Sequence, residues 1–260
     1  MRIVALLAFL AVFVLSACVA LRASNPGNAE PARLAPDPAS TPEAVIQVYA
    51  ARVVGAKGIF GVHTWVAVKP QGAGGYTVYE VIGWRKRYGG SPLVIHQRTP
   101  DARWFGAQAE LIAEQRGPGV DALIARVDKA ARDYPWADDY SVWPGPNSNT
   151  FTAWIGRAVP ELRLDLPPTA IGKDYAGARI LGSAPSGSGV QFTLFGLLGL
   201  TASPVEGLEV NLLGLTLGVN PFDFSLKLPL LGRLGFARDL AVNQNKIQAQ
   251  AKQPAPVAQR

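Results

Sequence analysis

The chain has a single cysteine, Cys18, and its position limits what the rest of the chain can fold into. It ends the run Leu15-Ser16-Ala17-Cys18, which follows the uninterrupted apolar stretch 3–15 and the positive start Met1-Arg2. A positive start, an apolar stretch and a site of small residues form the layout of a secretory signal. We therefore expect an exported chain whose folded part uses neither disulfides nor thiol chemistry.

Two kinds of membrane attachment fit this leader. The run ending in Cys18 resembles a bacterial lipobox, which implies lipidation of Cys18 as the new N terminus. Alternatively, residues 3–21 form an uncleaved anchor, because 19 residues interrupted only by Ser16 and Cys18 are just long enough to span a bilayer. Either arrangement predicts a protein of the cell envelope, attached to the membrane and facing the periplasm or the exterior.

Composition divides the chain into five parts. Residues 1–22 form the leader or anchor, and residues 23–43 form a tether rich in proline and small residues. Residues 44–176 have the pattern of an α+β domain, and residues 177–240 that of a β-rich extension. Residues 241–260 are rich in Gln, Ala and Pro, which predicts a disordered tail.

The net charge of +6 and the pI near 9.6 favour a partner with acidic groups. Besides the membrane that holds the leader, we expect cell-wall peptide or lipid as partners. The exported chain carries no aromatic-basic recognition motif, so nucleic acid is not an expected partner.

Strands precede helices in the predicted domain, which indicates the α+β class. The stretches rich in Val, Ile and aromatic residues predict four strands, at 45–54, 59–69, 76–84 and 93–98. Three helices are expected after them: one in the Ala/Glu-rich stretch 107–116, one opened by Pro118 and ended before Pro135, and one stopped by Pro160.

A glycine- and leucine-rich pattern follows the domain. Leu197-Leu198-Gly199-Leu200-Thr201 recurs 15 residues later as Leu212-Leu213-Gly214-Leu215-Thr216, and turn-forming residues lie between the two copies. Short strands in a β-meander explain this better than a membrane helix. The strands show little polar alternation, so we expect both faces to be covered, by the main domain, a second copy or lipid. Lys173-Asp174, just before this region, is expected to form an exposed ion pair.

The inventory of side chains excludes several chemistries. The folded part has two histidines and no cysteine, so the usual Cys/His zinc site cannot be assembled. A glycine-rich phosphate loop and a Gly-Xaa-Ser-Xaa-Gly nucleophile elbow are both absent. No cofactor is therefore expected.

A predicted hairpin brings the first histidine near a carboxylate. If Lys69 pairs with Tyr76, Glu80 lies opposite Trp65 and diagonally next to His63 on the same sheet face. Such neighbours lie about 7 Å apart, within reach of an imidazole and a carboxylate. A shift of one residue would separate them to opposite faces. His96 has no evident carboxylate neighbour and is interpreted as a packed strand residue.

Ser148 lies just before the apolar stripe of the third helix. The run Asn147-Ser148-Asn149-Thr150 contains residues that cap helices, which is one interpretation of it. The other is chemical: a hydroxyl at a helix N terminus meets free N–H groups that stabilise anionic charge. Such a serine needs a base, and His63 is the better placed histidine.

Three of these positions resemble the permuted papain-like fold, the group related to NlpC/P60 and lecithin-retinol acyltransferase-like proteins. The resemblance covers about residues 45 to 160 and implies an antiparallel sheet packed on helices. It implies His63 as base, Glu80 as orienting group and Ser148 at the position of the nucleophilic cysteine. A serine there indicates either a serine variant or an inactive enzyme kept for binding.

Longer runs are similar to a bacterial family, the domain-of-unknown-function family 3750. The runs are His63-Thr64-Trp65-Val66-Ala67-Val68-Lys69, Tyr79-Glu80-Val81-Ile82-Gly83-Trp84, residues 143–151 and residues 167–175. This resemblance implies a bacterial envelope protein and supplies no activity.

Three functions remain open. The first is a hydrolase or acyltransferase of envelope amides or esters that uses His63, Glu80 and Ser148. The second is a binding module without catalysis on the same scaffold. The third is a structural envelope protein whose Gly/Leu-rich strands mediate assembly or membrane association.

Overall fold

The computed structural model describes residues 29–236, and the leader residues 1–22 and the tail residues 241–260 lie outside this range. Within it, two antiparallel sheets and a few helices form an α+β fold with a C-terminal β-meander, as the sequence predicts. None of the helices within 29–236 has the length and hydropathy needed to cross a bilayer.

The first sheet has five strands in the order β4-β3-β2-β1-β5. Its strands are β1 (Val45–Arg52), β2 (Val62–Lys69), β3 (Thr77–Val81), β4 (Leu93–Gln97) and β5 (Glu110–Arg116). The first four correspond to the predicted strands. β2 is buried along its whole length, because elements pack on both faces of the sheet.

The stretch 107–116 contains a strand where the sequence predicts a helix. β5 pairs with the edge of β1, with Val45 opposite Arg116. Ala and Glu favour helices by intrinsic propensity, but that preference is weak. The edge of β1 supplies a ladder of backbone hydrogen bonds. This pairing outweighs the helix propensity of the stretch, so the helix prediction is wrong.

In the described residues, three α-helices accompany the first sheet: α1 (Trp84–Arg87), α2 (Val120–Arg132) and α3 (Ser148–Ala158), with 3₁₀ turns at Gly55–Ile59 and Pro160–Leu162. The two longer ones, α2 and α3, cover one face of the sheet. α2 and α3 match two of the predicted helices. Their buried residues, such as Val127 and Phe151, join Val66 and Tyr79 of the sheet in the main core.

The opposite face of the first sheet carries a smaller core of Trp65, Tyr49 and neighbouring residues. Part of the predicted tether packs here. Pro31 bridges Ala102, and the backbone N–H of Leu34 donates to the carboxylate of Asp101 over 2.6 Å. The chain between residues 31 and 36 is therefore held against the domain.

The second sheet is a meander of seven strands in sequence order. Its strands are β6 (Leu181–Gly182), β7 (Val190–Leu194), β8 (Leu198–Ser203), β9 (Gly207–Leu212), β10 (Leu215–Asn220), β11 (Ser225–Leu228) and β12 (Gly232–Leu234). The two copies of the sequence repeat occupy different positions, because Gly199 lies within β8 whereas Gly214 lies in the turn before β10. Leu213 and Gly214 both have positive φ, as a two-residue hairpin turn requires.

Within residues 29–236 only one face of the meander is covered, and cover of the other face by a second copy or by lipid stays a prediction. In β8, β9 and β10 buried and exposed residues alternate strictly. The buried side chains include Glu209 and Asn211, whereas Leu208, Val210 and Leu212 between them are exposed. The buried face is polar because its groups find partners in the segment 165–174, which leaves the apolar face outside.

Lys173 and Asp174 are part of that polar contact, so the expectation of an exposed ion pair is wrong. Both side chains are buried. The Lys173 ammonium lies 2.5 Å from a Glu209 carboxylate oxygen, and Asp174 accepts from the amides of Gln191 and Asn211. These contacts join the meander to the first domain.

Candidate active site

The β2–β3 hairpin has the predicted register. Val66 pairs with Tyr79 and Ala67 with Val78, so Glu80 follows on the face that carries His63. His63 Nε2 lies 3.0 Å from Glu80 Oε2, and both side chains are buried. The predicted contact between imidazole and carboxylate is therefore present. The catalytic roles of these residues stay predictions.

Glu80 also binds His96 and Arg98, and neither contact is predicted from the sequence. His96 Nε2 lies 2.8 Å from Glu80 Oε1, and Arg98 Nε donates to the same oxygen over 3.1 Å. The interpretation of His96 as a residue without a carboxylate neighbour is wrong. The pairing of β3 with β4 explains the contact, because Val78 lies opposite His96 and so places it diagonally to Glu80. Extending the register argument to this second hairpin would have found it.

The surroundings fix the protonation of the pair. Burial would raise the pKa of Glu80, but hydrogen bonds and charge from His63, Arg98 and His96 outweigh it and lower the pKa to about 2. Burial lowers the pKa of His63 below its usual 6.5, although the bond to Glu80 acts in the opposite direction. Near neutral pH the site therefore holds an ionised carboxylate beside a neutral imidazole.

Indole rings hold the imidazole in place. The His63 ring stacks on Trp104 at a centroid distance of 3.7 Å and on Trp65 at 5.6 Å. With Nε2–H donated to Glu80, the second ring nitrogen, Nδ1, carries the lone pair. His63 Nδ1 forms no hydrogen bond with any residue in the range 29–236. Its lone pair is free to accept a proton.

Ser148 is the first residue of α3, and its neighbours cap the helix. The Asn147 side chain accepts from the backbone N–H groups of Asn149 and Thr150, and Thr150 closes a capping box. Within the described part of the chain, neither the hydroxyl nor the backbone N–H of Ser148 has a hydrogen-bond partner. The residues on either side of Ser148 thus take part in the cap, while the hydroxyl and the backbone N–H of Ser148 are left unpaired.

The N terminus of α3 binds the start of β2. The pairing of β2 with β3 begins only at Val66, and the Asn149 amide instead donates to the carbonyl of Val62 over 3.0 Å. The Thr64 hydroxyl, next along the chain from His63, lies 3.3 Å from the Ser148 carbonyl oxygen. Ser148 therefore lies beside β2 on the face to which Thr64 points, whereas the His63 side chain points to the opposite face, with Trp65 and Trp104. No hydrogen bond between the Ser148 and His63 side chains is found among residues 29–236.

Three of the cavities in the described part of the chain are formed without His63, Glu80 or Ser148 in their walls. One cavity of about 550 Å³ lies between α3 and the meander, and Thr150 is among the residues that line it. In the described part of the chain, no group of three His, Cys, Asp or Glu side chains is arranged to hold a metal ion. The residues of the candidate site offer an imidazole, a carboxylate and a hydroxyl.

Comparison with known proteins identifies a family. The model of the family described as protein of unknown function (DUF3750) matches residues 43–175, which is half of the chain and includes every residue of the candidate site. Searches of the curated proteins and of the solved structures found no match. The chain therefore belongs to the DUF3750 family.

Proposed function

We propose that the protein is a serine-variant hydrolase or acyltransferase that acts on amide or ester bonds of cell-envelope material. The observation that carries the proposal is the buried bond between His63 Nε2 and Glu80, which leaves Nδ1 of a neutral imidazole free. A general base needs this state: an oriented ring with an available lone pair at the working pH. The proposal assigns His63 as base, Glu80 as orienting group and Ser148 as nucleophile.

The reaction follows acyl-transfer chemistry. The proposed step transfers the proton of the Ser148 hydroxyl to His63 Nδ1 while the serine oxygen attacks the carbonyl carbon of the substrate. It requires a rearrangement at the start of β2, because the His63 ring lies with Trp65 and Trp104 on the face of the sheet opposite α3. The free N–H of Ser148 at the start of α3 stabilises the negative charge on the carbonyl oxygen. The protonated His63 then gives its proton to the leaving amine or alkoxide. The acyl group on Ser148 passes to water in a hydrolase, or to another acceptor in a transferase.

The proposal includes the permuted papain-like architecture and the envelope location. For the architecture, the support is an Asn-Ser pair that opens a helix against the strand carrying His63, within an antiparallel sheet. For the location, the support is the apolar leader ending in Cys18 and the basic net charge. Cell-wall peptides and lipids supply amide and ester bonds in that compartment.

Covalent labelling tests the proposed nucleophile. The purified full-length chain is treated with a fluorophosphonate probe, which reacts with activated serine hydroxyls. We expect labelling of the wild type, and loss of labelling in Ser148→Ala and His63→Ala, because an unactivated serine reacts too slowly. Ser141→Ala is the matched control, since Ser141 lies nearby and hydrogen-bonds only a local carbonyl.

Circular dichroism confirms that each variant is folded. Absence of labelling in the folded wild type, or undiminished labelling of Ser148→Ala, would refute the proposal. Glu80→Gln adds a further check, because it keeps the size of the side chain and removes the charge that orients His63.

A binding module is the second candidate, and one observation favours it. Ser148 and His63 are only 5% and 4% exposed, and no hydrogen bond joins their side chains within residues 29–236. In this alternative the site holds a cell-wall peptide or lipid through neutral hydrogen bonds. Binding of a muropeptide measured by calorimetry, retained in His63→Ala with no turnover in either form, would support it over catalysis.

A further inference from the structure

The outer surface of the meander is apolar across its central strands. We call it the outer face and define it by Leu200, Leu208, Val210, Leu212, Leu217 and Val219. These side chains are between 47% and 60% exposed. Val210 lies at the centre, paired with Leu200 on one side and Leu217 on the other. Monomeric soluble proteins rarely leave a contiguous apolar surface of this kind uncovered.

The register of the meander cannot be changed to hide these residues. A shift of one position would bury the leucines and expose Lys227 and Glu209 instead. Lys227 donates to Asp165 over 2.5 Å and to Glu209 over 2.6 Å, and it is fully buried. The charged network on the inner side therefore fixes the apolar side outward, where something else must cover it.

We propose that the outer face docks onto the acyl-chain boundary of a lipid bilayer. The exposed positions of β8–β10 are aliphatic and carry no charge or hydrogen-bonding side chain. Protein interfaces are enriched in Tyr, Trp, Met and Arg, and these residues are missing from this face. An uncharged aliphatic surface matches lipid chains, which offer no hydrogen bonds in return.

Exposed phenylalanines at the hairpin ends support the same occupant. Phe195 lies in the turn between β7 and β8, and Phe222 and Phe224 lie in the turn between β10 and β11. Successive turns of a meander alternate between its two ends, so the rings flank the outer face on both sides. Phe224 is 80% exposed. Aromatic and leucine side chains are the ones that enter the headgroup and acyl boundary, to a depth of about 5–10 Å.

The length of the preceding chain is compatible with such docking. The sequence predicts attachment to the membrane either through a lipid on Cys18 or through the anchor 3–21, and Pro31 is held against the first domain. The chain up to Pro31 spans at most about 47 Å from Cys18, or about 36 Å from Leu21, when fully extended. The domain therefore stays close to the bilayer that holds the leader, and the docking proposed here is a second contact, independent of the chemistry at Ser148.

A depth-sensitive label tests the outer face in the whole protein. In a Cys18→Ala background, the variants V210C and Q71C each carry one thiol, which is labelled with a nitrobenzoxadiazole dye. The full chain is incorporated into vesicles of phosphatidylcholine and phosphatidylglycerol with brominated acyl chains. We expect the dye at position 210 to lose most of its emission, and the dye at position 71, an exposed loop site, to keep it.

The leader does not determine this readout, because both variants share it. Equal emission at the two positions in the brominated vesicles would overturn the proposal. Disulfide formation between unlabelled V210C chains, together with shielding of the dye in the labelled protein from both aqueous iodide and brominated lipid, would also overturn it, because a second copy would then cover the face. Addition of L208N and L217N should restore the emission of the dye at position 210.

Discussion

The two sheets of this protein bury opposite kinds of side chain. In the five-stranded sheet, apolar residues such as Val66 and Trp65 fill the cores on its two faces. In the meander the buried face carries Lys227, Glu209 and Asn211, and the leucines and valines point outward. Alternation of polar and apolar residues along a strand shows that its two faces differ in polarity. The comparison of the two sheets shows that this alternation does not determine which face is buried.

The buried face of the meander is stabilised by charge pairing in place of apolar contact. Burial would lower the pKa of Lys173, but the carboxylates of Asp174 and Glu209 outweigh it and raise that pKa. Lys173 and Lys227 both bind Glu209, so one carboxylate is shared by two ammonium groups. Such a network compensates for the loss of water only when every member keeps its partners.

The largest effect is expected from breaking that network. Lys227→Met leaves Asp165 and Glu209 without a shared cation in a buried site, and we expect the free energy of unfolding to fall by about 3–5 kcal/mol. Urea unfolding followed by circular dichroism measures it. Lys86→Met is the control, because Lys86 pairs with Asp139 on the exposed surface and should cost less than about 1 kcal/mol.

If Lys227→Met and Lys86→Met lowered the free energy of unfolding equally, the buried charge network would not be what stabilises the inner face of the meander. Adding Asp165→Asn to Lys227→Met removes a buried carboxylate that has lost the Lys227 cation, so partial recovery of the free energy of unfolding is expected. No recovery would mean that the side chain of Lys227 acts through packing alone.

A matched pair of valines gives the next largest effect. Val66→Ala in β2 removes buried methyl groups and should lower the free energy of unfolding by about 1.5–3 kcal/mol. Val210→Ala in β9 changes a half-exposed side chain and should cost less than about 0.5 kcal/mol in the absence of lipid. Both are measured by urea unfolding. A large cost at Val210 under these conditions would show that another copy of the chain covers the outer face.

The smallest expected effect is a dependence of the free energy of unfolding on pH, caused by His63 and Glu80 in the first sheet. The pKa of His63 is lowered in the folded state, so below its usual 6.5 the unfolded chain binds more protons. The free energy of unfolding should therefore fall as the pH decreases from 7 to about 5. Glu80, with its pKa of about 2, adds stability that is lost only below its ordinary value of 4.5.

His63→Gln should remove part of this slope between pH 7 and 5, as followed by urea unfolding at each pH. Lys86→Met again serves as the control, since it leaves the histidine untouched. An unchanged slope in His63→Gln would mean that the imidazole is as easily protonated in the folded state as in the unfolded chain.

Local patterns in the sequence determined much of this protein. Runs of Val, Ile and aromatic residues predicted β1 to β4, apolar periodicity predicted α2 and α3, and the Gly/Leu-rich pattern predicted a meander. The contact between His63 and Glu80 also followed from the sequence, because a hairpin with a short loop has few possible registers. In each case the interacting residues are near one another along the chain, so the local pattern carries the information.

Only the tertiary structure decided the rest. The stretch 107–116 became a strand because the edge of β1 was available, and His96 reached Glu80 through a second hairpin. The inner face of the meander is polar because Asp165 and Lys173, distant in sequence, supply opposite charges to Lys227 and Glu209. A buried charge is stable only beside its partner, and which partner it meets is a property of the assembled fold.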